Sequence, residues 1–268
     1  MSNEDHVVVD VEIQEEVEET EGGWNATDKL GVGVAVLWED KTQNFRVYGP
    51  DDEQRLRDRL LSATRISGFN TFNFDFPVIW RVERVAWTIA ATSRQSKDWN
   101  EQISPLKAAL EARSNDILRR IWIAKSLDPD DFNMASHGGY SLDSVAGTTI
   151  GRRKTGHGAD APRLFKEKRW CELIEYCVAD VAIERDLVAF VDRYGYIVSE
   201  RHGVVFLDGR KNKLAEVSEE DKELKRQLLS MESAHLTEWE VGFVTSMAKW
   251  VGPLTEKQRD RAKKILGK

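Results

Sequence analysis

Val7-Val8-Val9-Asp10-Val11-Glu12-Ile13 is a β-branched run broken at alternate positions by two acids. Its length and composition predict a buried β-strand. Side chains two apart leave a strand on the same face, so Asp10 and Glu12 stand side by side. Two carboxylates in an apolar strand repel each other and are costly to bury unless a cation lies between them. A divalent metal ion is one way to satisfy such a pair; an edge strand with both acids in water is the other. The choice depends on whether the chain supplies further carboxylates in a compatible context.

Outward from this strand, Leu30 to Trp38 and Phe45 to Tyr48 read as two more strands, and their short links predict an antiparallel meander. Gly31-Val32-Gly33 opens no dinucleotide loop, because Val36 stands at the third glycine position and the strand pattern continues. Asp51 to Thr64 is a helix with Leu56, Leu60 and Leu61 inward, followed by a short strand from Arg65 to Phe69. In Gly68-Phe69-Asn70-Thr71-Phe72-Asn73-Phe74-Asp75-Phe76-Pro77 the strand ends at Asn70 and a helix starts near Asp75, where an acid is also a good N-cap. Residues 88–112 read as an added helical excursion, Asp116 to Lys125 as an amphipathic helix, and Ser141 to Ala146 as a short helix capped by Ser141. Gly151 to Gly156 has the glycine spacing of a P-loop, but His157 and Gly158 replace its lysine and hydroxyl residue. His157 is an exposed histidine of a Gly-flanked loop on this reading.

Trp170 to Arg193 is a long helix with Leu173, Cys177 and Val181 as a buried stripe. Tyr176 and Asp180, four apart, share the face beside that stripe. A hairpin follows over Tyr196 to Leu207. Ala215 to Glu232 reads as a charged helix, and Trp239, Phe243, Met247 and Trp250 as the apolar stripe of a tail helix started by Thr237-Glu238. Thr255 with Gln258 forms a capping box for a last helix.

A chain of 268 residues can bury a sizeable core, and a domain over residues 1–210, with 89–112 inserted, plus a helical extension over 215–268 is expected. Cys171 and Cys177 lack a metal-type spacing and read as reduced thiols. No apolar run is long enough to cross a membrane, and the acidic N-terminus is unlike a signal peptide, so a cytoplasmic protein is expected. The net charge of −7 is unevenly spread: residues 1–21 hold nine acids and no Lys or Arg, leaving 39 basic against 37 acidic side chains elsewhere. Arg152, Arg153, Lys154, Arg163, Lys166, Lys168 and Arg169 form a basic cluster suited to a polyanion, or to a solvated loop.

Asp10-x-Glu12, Asn70-x-x-x-Phe74-Asp75 and Tyr176-x-x-x-Asp180 occur in that order on compatible elements. With them the chain resembles the DEDD-type 3′–5′ exonucleases of the RNase H-like superfamily over about residues 6–195. The Gly68-Phe69-Asn70 to Phe74-Asp75 segment is most similar to the proofreading domains of family-B DNA polymerases and to stand-alone predicted exonucleases. Tyr176 marks the tyrosine subtype; the histidine subtype would carry His where Glu175 stands. Ile13 departs from the threonine often found beside the first pair.

The resemblance implies an α/β, RNase H-like mixed five-stranded sheet flanked by helices, with a small C-terminal helical extension. It also implies hydrolysis of phosphodiester bonds at a 3′ end, in replication, recombination or repair, releasing nucleoside 5′-monophosphates. The cofactors would be two Mg²⁺ or Mn²⁺ ions about 3.5–4 Å apart, held by Asp10, Glu12, Asp75 and Asp180. Asp10 would bridge both ions, Glu12 and Asp180 would serve the ion that activates water, and Asp75 the ion at the leaving 3′-oxygen. Tyr176 would orient the water, since a phenol of pKa about 10 is a poor base at neutral pH. Asn70, Phe72, Arg152, Arg153, Lys154 and Arg163 are expected to contact nucleic acid, a single or 3′-ended strand with DNA favoured. Phe69, Phe72 and Phe76 would stack on bases or pack in the core.

The C-terminal helices resemble small helical ends of other DNA-processing proteins and would dock a replication or recombination partner, bind DNA or cap the core. No polymerase domain is present, so proofreading within one chain is not expected. A nuclease-fold binding module without turnover and a structure-specific endonuclease are the rival readings.

Overall fold

The computed structural model describes residues 4–88, 97–127, 129, 139–156, 158–209, 218–231, 236–249, 254 and 256–267. Strand β1 (His6–Ile13) is central, as its β-branched run requires. It pairs antiparallel with β2 (Val32–Glu39), which follows the short helix α1 (Thr27–Leu30), and β2 pairs antiparallel with β3 (Asn44–Tyr48). After α2 (Glu53–Ser62) the chain returns through β4 (Arg65–Gly68), parallel to β1. Helices α3 (Asp75–Trp80), α4 (Arg84–Thr88) and α5 (Lys97–Glu111) precede β5 (Ser114–Asp116), parallel to β4. The order β3-β2-β1-β4-β5, with an antiparallel meander on one side and parallel crossovers on the other, is the RNase H-like arrangement. The meander and the five-stranded sheet are as the sequence led one to expect.

Alternation along β1 sorts its side chains between two layers. Val7, Val9, Val11 and Ile13 pack with Leu56, Leu60, Phe76, Trp87 and Leu110 of α2 to α5 on one face. Val8, with Val34, Val36 and Trp38 of β2, faces α8 (Ala161–Lys166) and α9 (Trp170–Tyr194) through Ala161, Leu164, Leu173, Cys177 and Val181. Each valine so buried contributes about 1.5–3 kcal/mol. The acids Asp10 and Glu12 therefore emerge on the α9 side. At the far end of α9, Ile183 and Leu187 pack with α6 (Ile117–Ala124), α7 (Leu142–Ile150) and the hairpin of β6 (Tyr196–Ser199) and β7 (Gly203–Phe206).

Gly68 is required where β4 meets β1: an added Cβ would lie 2.0 Å from Thr71 Oγ1 and 2.8 Å from the Val9 carbonyl. Ser141 caps α7, accepting from Ser144 N at 3.2 Å. The helix runs to Ile150, past the expected end at Ala146, and stops at Gly151 in the left-handed region. The excursion at 88–112 contains α5; residues 89–96 and His157 lie outside the described residues.

The tail folds as α10 (Glu219–Leu229), α11 (Glu238–Lys249) and α12 (Glu256–Leu266) around its own cluster of Leu224, Leu228, Phe243, Met247, Leu254, Ala262 and Ile265. Buried Asp221 ties it together, accepting from Arg259 Nε at 2.6 Å and Leu254 N at 2.9 Å. Thr237 and Glu240 form a reciprocal capping box on α11. Trp239 is not part of the buried stripe: it is exposed, stacked on Phe243 with the Arg261 guanidinium over its ring. A helix turns 400° over four residues, which leaves position 239 at the rim. Trp250 and Thr255 lie outside the described residues.

Candidate metal centre

Helix α9 crosses the face of β1 that carries Asp10 and Glu12. Its successive turns present Tyr176 with Cys177, then Asp180, then Glu184, all buried. Donor atoms of Asp10, Glu12 and Cys177 lie within 4.8 Å of one another, a spacing that one ion could bridge. The Cys177 thiol reaches the Asp10 carbonyl at 3.5 Å and Asp10 Oδ2 at 3.7 Å.

Asp75 arrives from the opposite layer. It is the first residue of α3 rather than its N-cap, a place taken by Phe74, and no side chain caps that helix. The carboxyl is turned inward instead, 3 % exposed, and Asp75 Oδ1 meets no hydrogen-bond donor. Its approach is fixed by Asp116, which accepts from Asn70 N at 3.0 Å, Phe72 N at 2.9 Å and, as cap of α6, Arg119 N at 3.1 Å. Asn70 takes a left-handed conformation (φ 67°) that Asn tolerates better than most residues. Thus the loop from Phe69 to Phe74 is held at Asn70 and Phe72 before Asp75 begins its helix.

Burial raises all five carboxyls of this cluster. Asp10 is pushed up to about 7, by burial first and by Asp180 next, with Lys154 opposing. Burial, then repulsion from Asp10, holds both Glu12 and Asp75 well above the usual range. Asp180 is raised by burial against the pull of Lys154, and Glu184 is held well above the usual range by burial and by Asp10, Asp75 and Asp180. Glu184 Oε2 also meets no donor.

Against these acids stands Lys154, whose Nζ lies 2.6 Å from Asp180 Oδ2 and 5.4 Å from the centre of the Tyr176 ring. Despite the cost of burying it, Asp10 and Asp180 push the Lys154 ammonium above its ordinary value. Tyr176 is raised by burial and by Glu12, so its phenol keeps its proton. Gly156 passes close over this ring, where an added Cβ would stand 3.2 Å from Tyr176 Cδ2. A groove of about 340 Å³, lined by Thr155, Gly156, Arg163, Arg169, Glu172 and Tyr176 among others, opens beside it. Among the described residues one cation, Lys154, faces four buried acids and the half-buried Asp10. The unpartnered oxygens of Asp75 and Glu184 have the hard-donor chemistry of a Mg²⁺ or Mn²⁺ site, so the residues present fit such ions.

Other expected contacts are placed differently. Phe72 is fully buried, edge-on to Phe76 and packed on Trp87, with Arg119 over its ring; it presents no face to a base. Phe69 and Phe76 are buried as well. Among the described residues Trp24 is an exposed aromatic, its ring centre 5.8 Å from that of Phe74. The basic cluster is largely neutralised: Arg152 pairs with Asp186, Arg153 with Asp143 and Glu200, Arg163 with Asp160, Lys166 with Glu16 and Glu19, and Arg169 with Glu167 and Glu172.

Asp40, His6 and Ser67 stand in triad order, His6 Nδ1 2.5 Å from Asp40 Oδ2 and His6 Nε2 2.8 Å from Ser67 Oγ. Ser67 has no exposed surface and is held by Asn115 at 2.9 Å, so this relay ties β1 to β4 and is closed to substrate.

No protein-family model matches the sequence, and no curated protein matches it. Among solved structures, the family B DNA polymerase from the hyperthermophilic archaeon Pyrobaculum calidifontis is similar, with a TM-score of 0.45 and 15 % identity. That similarity covers 71 % of this chain and 25 % of the polymerase chain, so this protein spans a minor part of the polymerase's length.

Proposed function

We propose that this chain is a metal-dependent 3′–5′ exonuclease that acts on single strands, DNA in preference to RNA, and releases nucleoside 5′-monophosphates. What supports this reading is that Asp10 and Glu12 share one face of β1, with Asp180 of α9 and Asp75 of α3, both buried, near enough to act on their carboxyls. Two Mg²⁺ or Mn²⁺ ions bound there supply charge for the scissile phosphate and a more acidic water.

Asp10 would be the ligand common to both ions, with Glu12 beside it on β1. Glu12 and Asp180 would serve the ion that activates water, near Tyr176, and Asp75 the ion at the leaving 3′-oxygen. Tyr176 keeps its proton and donates a hydrogen bond, so it orients the water without deprotonating it. Lys154 pairs with Asp180 here, and its ammonium would be a cationic contact for the phosphate with ions bound. The groove beside Tyr176 receives the strand, and Trp24 offers a face for a base.

Residues 215–268 form an appended unit in this reading, a docking element for another nucleic-acid-processing protein; its own core is the support. Paired substrates test the activity. A linear single strand should shorten from its 3′ end with Mn²⁺ or Mg²⁺ while a covalently closed circle of the same sequence stays intact. Nicking of the circle would make the protein an endonuclease instead.

A further inference from the structure

Cys177 has no part in the mechanism above, yet its sulfur sits at the pair of carboxylates on which that mechanism turns. As a member of the apolar stripe with Leu173 and Val181, a cysteine here is only a small core residue. Its place against Asp10 gives it a second chemistry. Sγ is 3.7 Å from Asp10 Oδ2, and Sγ with one oxygen each from Asp10 and Glu12 forms a compact trio of donors. Two further carboxylates border the trio with unpartnered oxygens: Asp75, 3 % exposed, and Glu184, 2 % exposed, both electrostatically coupled to Asp10. The vicinity thus has one soft donor within an otherwise hard set.

Hard ions such as Mg²⁺ gain little from sulfur, whereas Zn²⁺ and Cd²⁺ bind thiolate strongly. We propose that Asp10, Glu12 and Cys177 form a binding site for thiophilic divalent ions of the Zn²⁺ and Cd²⁺ class, occupied in competition with the hard ions of turnover. On binding, the Sγ–H bond breaks, its proton passes to solvent, and the sulfur lone pair forms the bond to the ion. The ion then holds Asp10 and Glu12 away from the arrangement turnover needs, so the enzyme is inhibited by zinc. That inhibitory consequence rests on the exonuclease reading; the binding site does not.

The test uses the full chain carrying Cys171→Ser, which removes the exposed thiol and leaves Cys177 as the only cysteine. Titration with Cd²⁺, free of other metals, should raise the ultraviolet thiolate-to-cadmium absorbance to a plateau at one equivalent. Adding Cys177→Ser should abolish the band and weaken Cd²⁺ binding about 10- to 100-fold by calorimetry, while Mn²⁺ binding changes less than about threefold. Asp10→Asn in the Cys171→Ser chain should weaken Cd²⁺ binding as well, with circular dichroism confirming that each variant is folded. Absence of the band in folded Cys171→Ser protein would overturn the proposal, as would equal losses of Cd²⁺ and Mn²⁺ affinity in the cysteine variant. A band without any nuclease activity would leave this site standing and remove the exonuclease reading. Activity without a band would do the reverse.

Discussion

Lys154 Nζ stands 2.6 Å from Asp180 Oδ2 and lies over the Tyr176 ring, so the ion-free site carries its own cation. An ammonium there competes with any divalent ion for Asp180. Lys154→Ala should therefore bind Mn²⁺ more tightly, by about fivefold to tenfold, since a partly buried pair is worth on the order of 1 kcal/mol or more. Turnover should fall at the same time, because the phosphate loses a cationic contact. Calorimetric Mn²⁺ titration beside kcat measures both; weaker Mn²⁺ binding would show that Lys154 builds the site and does not compete for it.

The five carboxyls give the ion-free protein an unusual pH dependence. Asp10 titrates near 7 when folded against 3.8 in the unfolded chain, and Glu12, Asp75, Asp180 and Glu184 are shifted in the same direction. A folded pKa above the unfolded one means stability that is present below about pH 4 and lost as pH rises through about 7. With chelator, the melting temperature should fall by several degrees between pH 5.5 and 8, and Asp10→Asn should flatten that fall. Saturating Mn²⁺ should restore the pH 8 value by mass action. A chelated protein most stable at pH 8 would contradict the cluster's electrostatics.

Two aromatics separate surface from core. Trp24 is 56 % exposed, whereas Phe72 is 0 % exposed among Phe76, Trp87 and the Arg119 guanidinium. Trp24→Ala should weaken binding of a short single strand by about 1–3 kcal/mol while hardly moving the melting temperature. Phe72→Ala should cost about 3–5 kcal/mol of stability, read by chemical denaturation. The opposite pattern would return Phe72 to the substrate path.

What was legible in the sequence was geometry that one element settles alone. Alternation puts Asp10 beside Glu12 on any strand, and four-residue spacing puts Tyr176 above Asp180 on any helix. What was not legible depends on partners far along the chain. Glu184 extends the Tyr176 and Asp180 face by one more turn, but only the β1 crossing makes it part of the acid cluster. Cys177 read as stripe, and it is stripe; its contact with Asp10 comes from a strand 167 positions away. Asp116 read as the first residue of an amphipathic helix, with no hint that it caps α6 and also receives the amides of Asn70 and Phe72. The pairing of the basic cluster is partly local, as Asp160 is for Arg163, and partly remote, as Glu16 and Glu19 are for Lys166.

The helical extension depends on one buried acid. Asp221, with a side chain wholly buried, holds Arg259 and the Leu254 amide, and Arg259 keeps its carboxyl below the usual range. Asp221→Ala leaves the buried Leu254 amide without its acceptor and releases Arg259, and should cost the extension about 1–3 kcal/mol. Hydrogen exchange should speed up in α10 to α12 and stay unchanged in β1 to β5. Faster exchange in the sheet as well would mean that the tail is part of the main core.

The central claim is that Asp10 and its neighbours hold metal ions for hydrolysis at a 3′ end. Its most direct test is digestion of 5′-labelled single-stranded DNA by wild-type and Asp10→Ala proteins, with Mn²⁺, Mg²⁺ or chelator. The predicted result is a ladder shortening from the 3′ end with either metal, lost with chelator and reduced at least about 10³-fold in the variant, the scale expected when a two-metal clamp loses its shared ligand. An equal ladder from Asp10→Ala, or no cleavage by folded wild-type protein under any of these conditions, would contradict it.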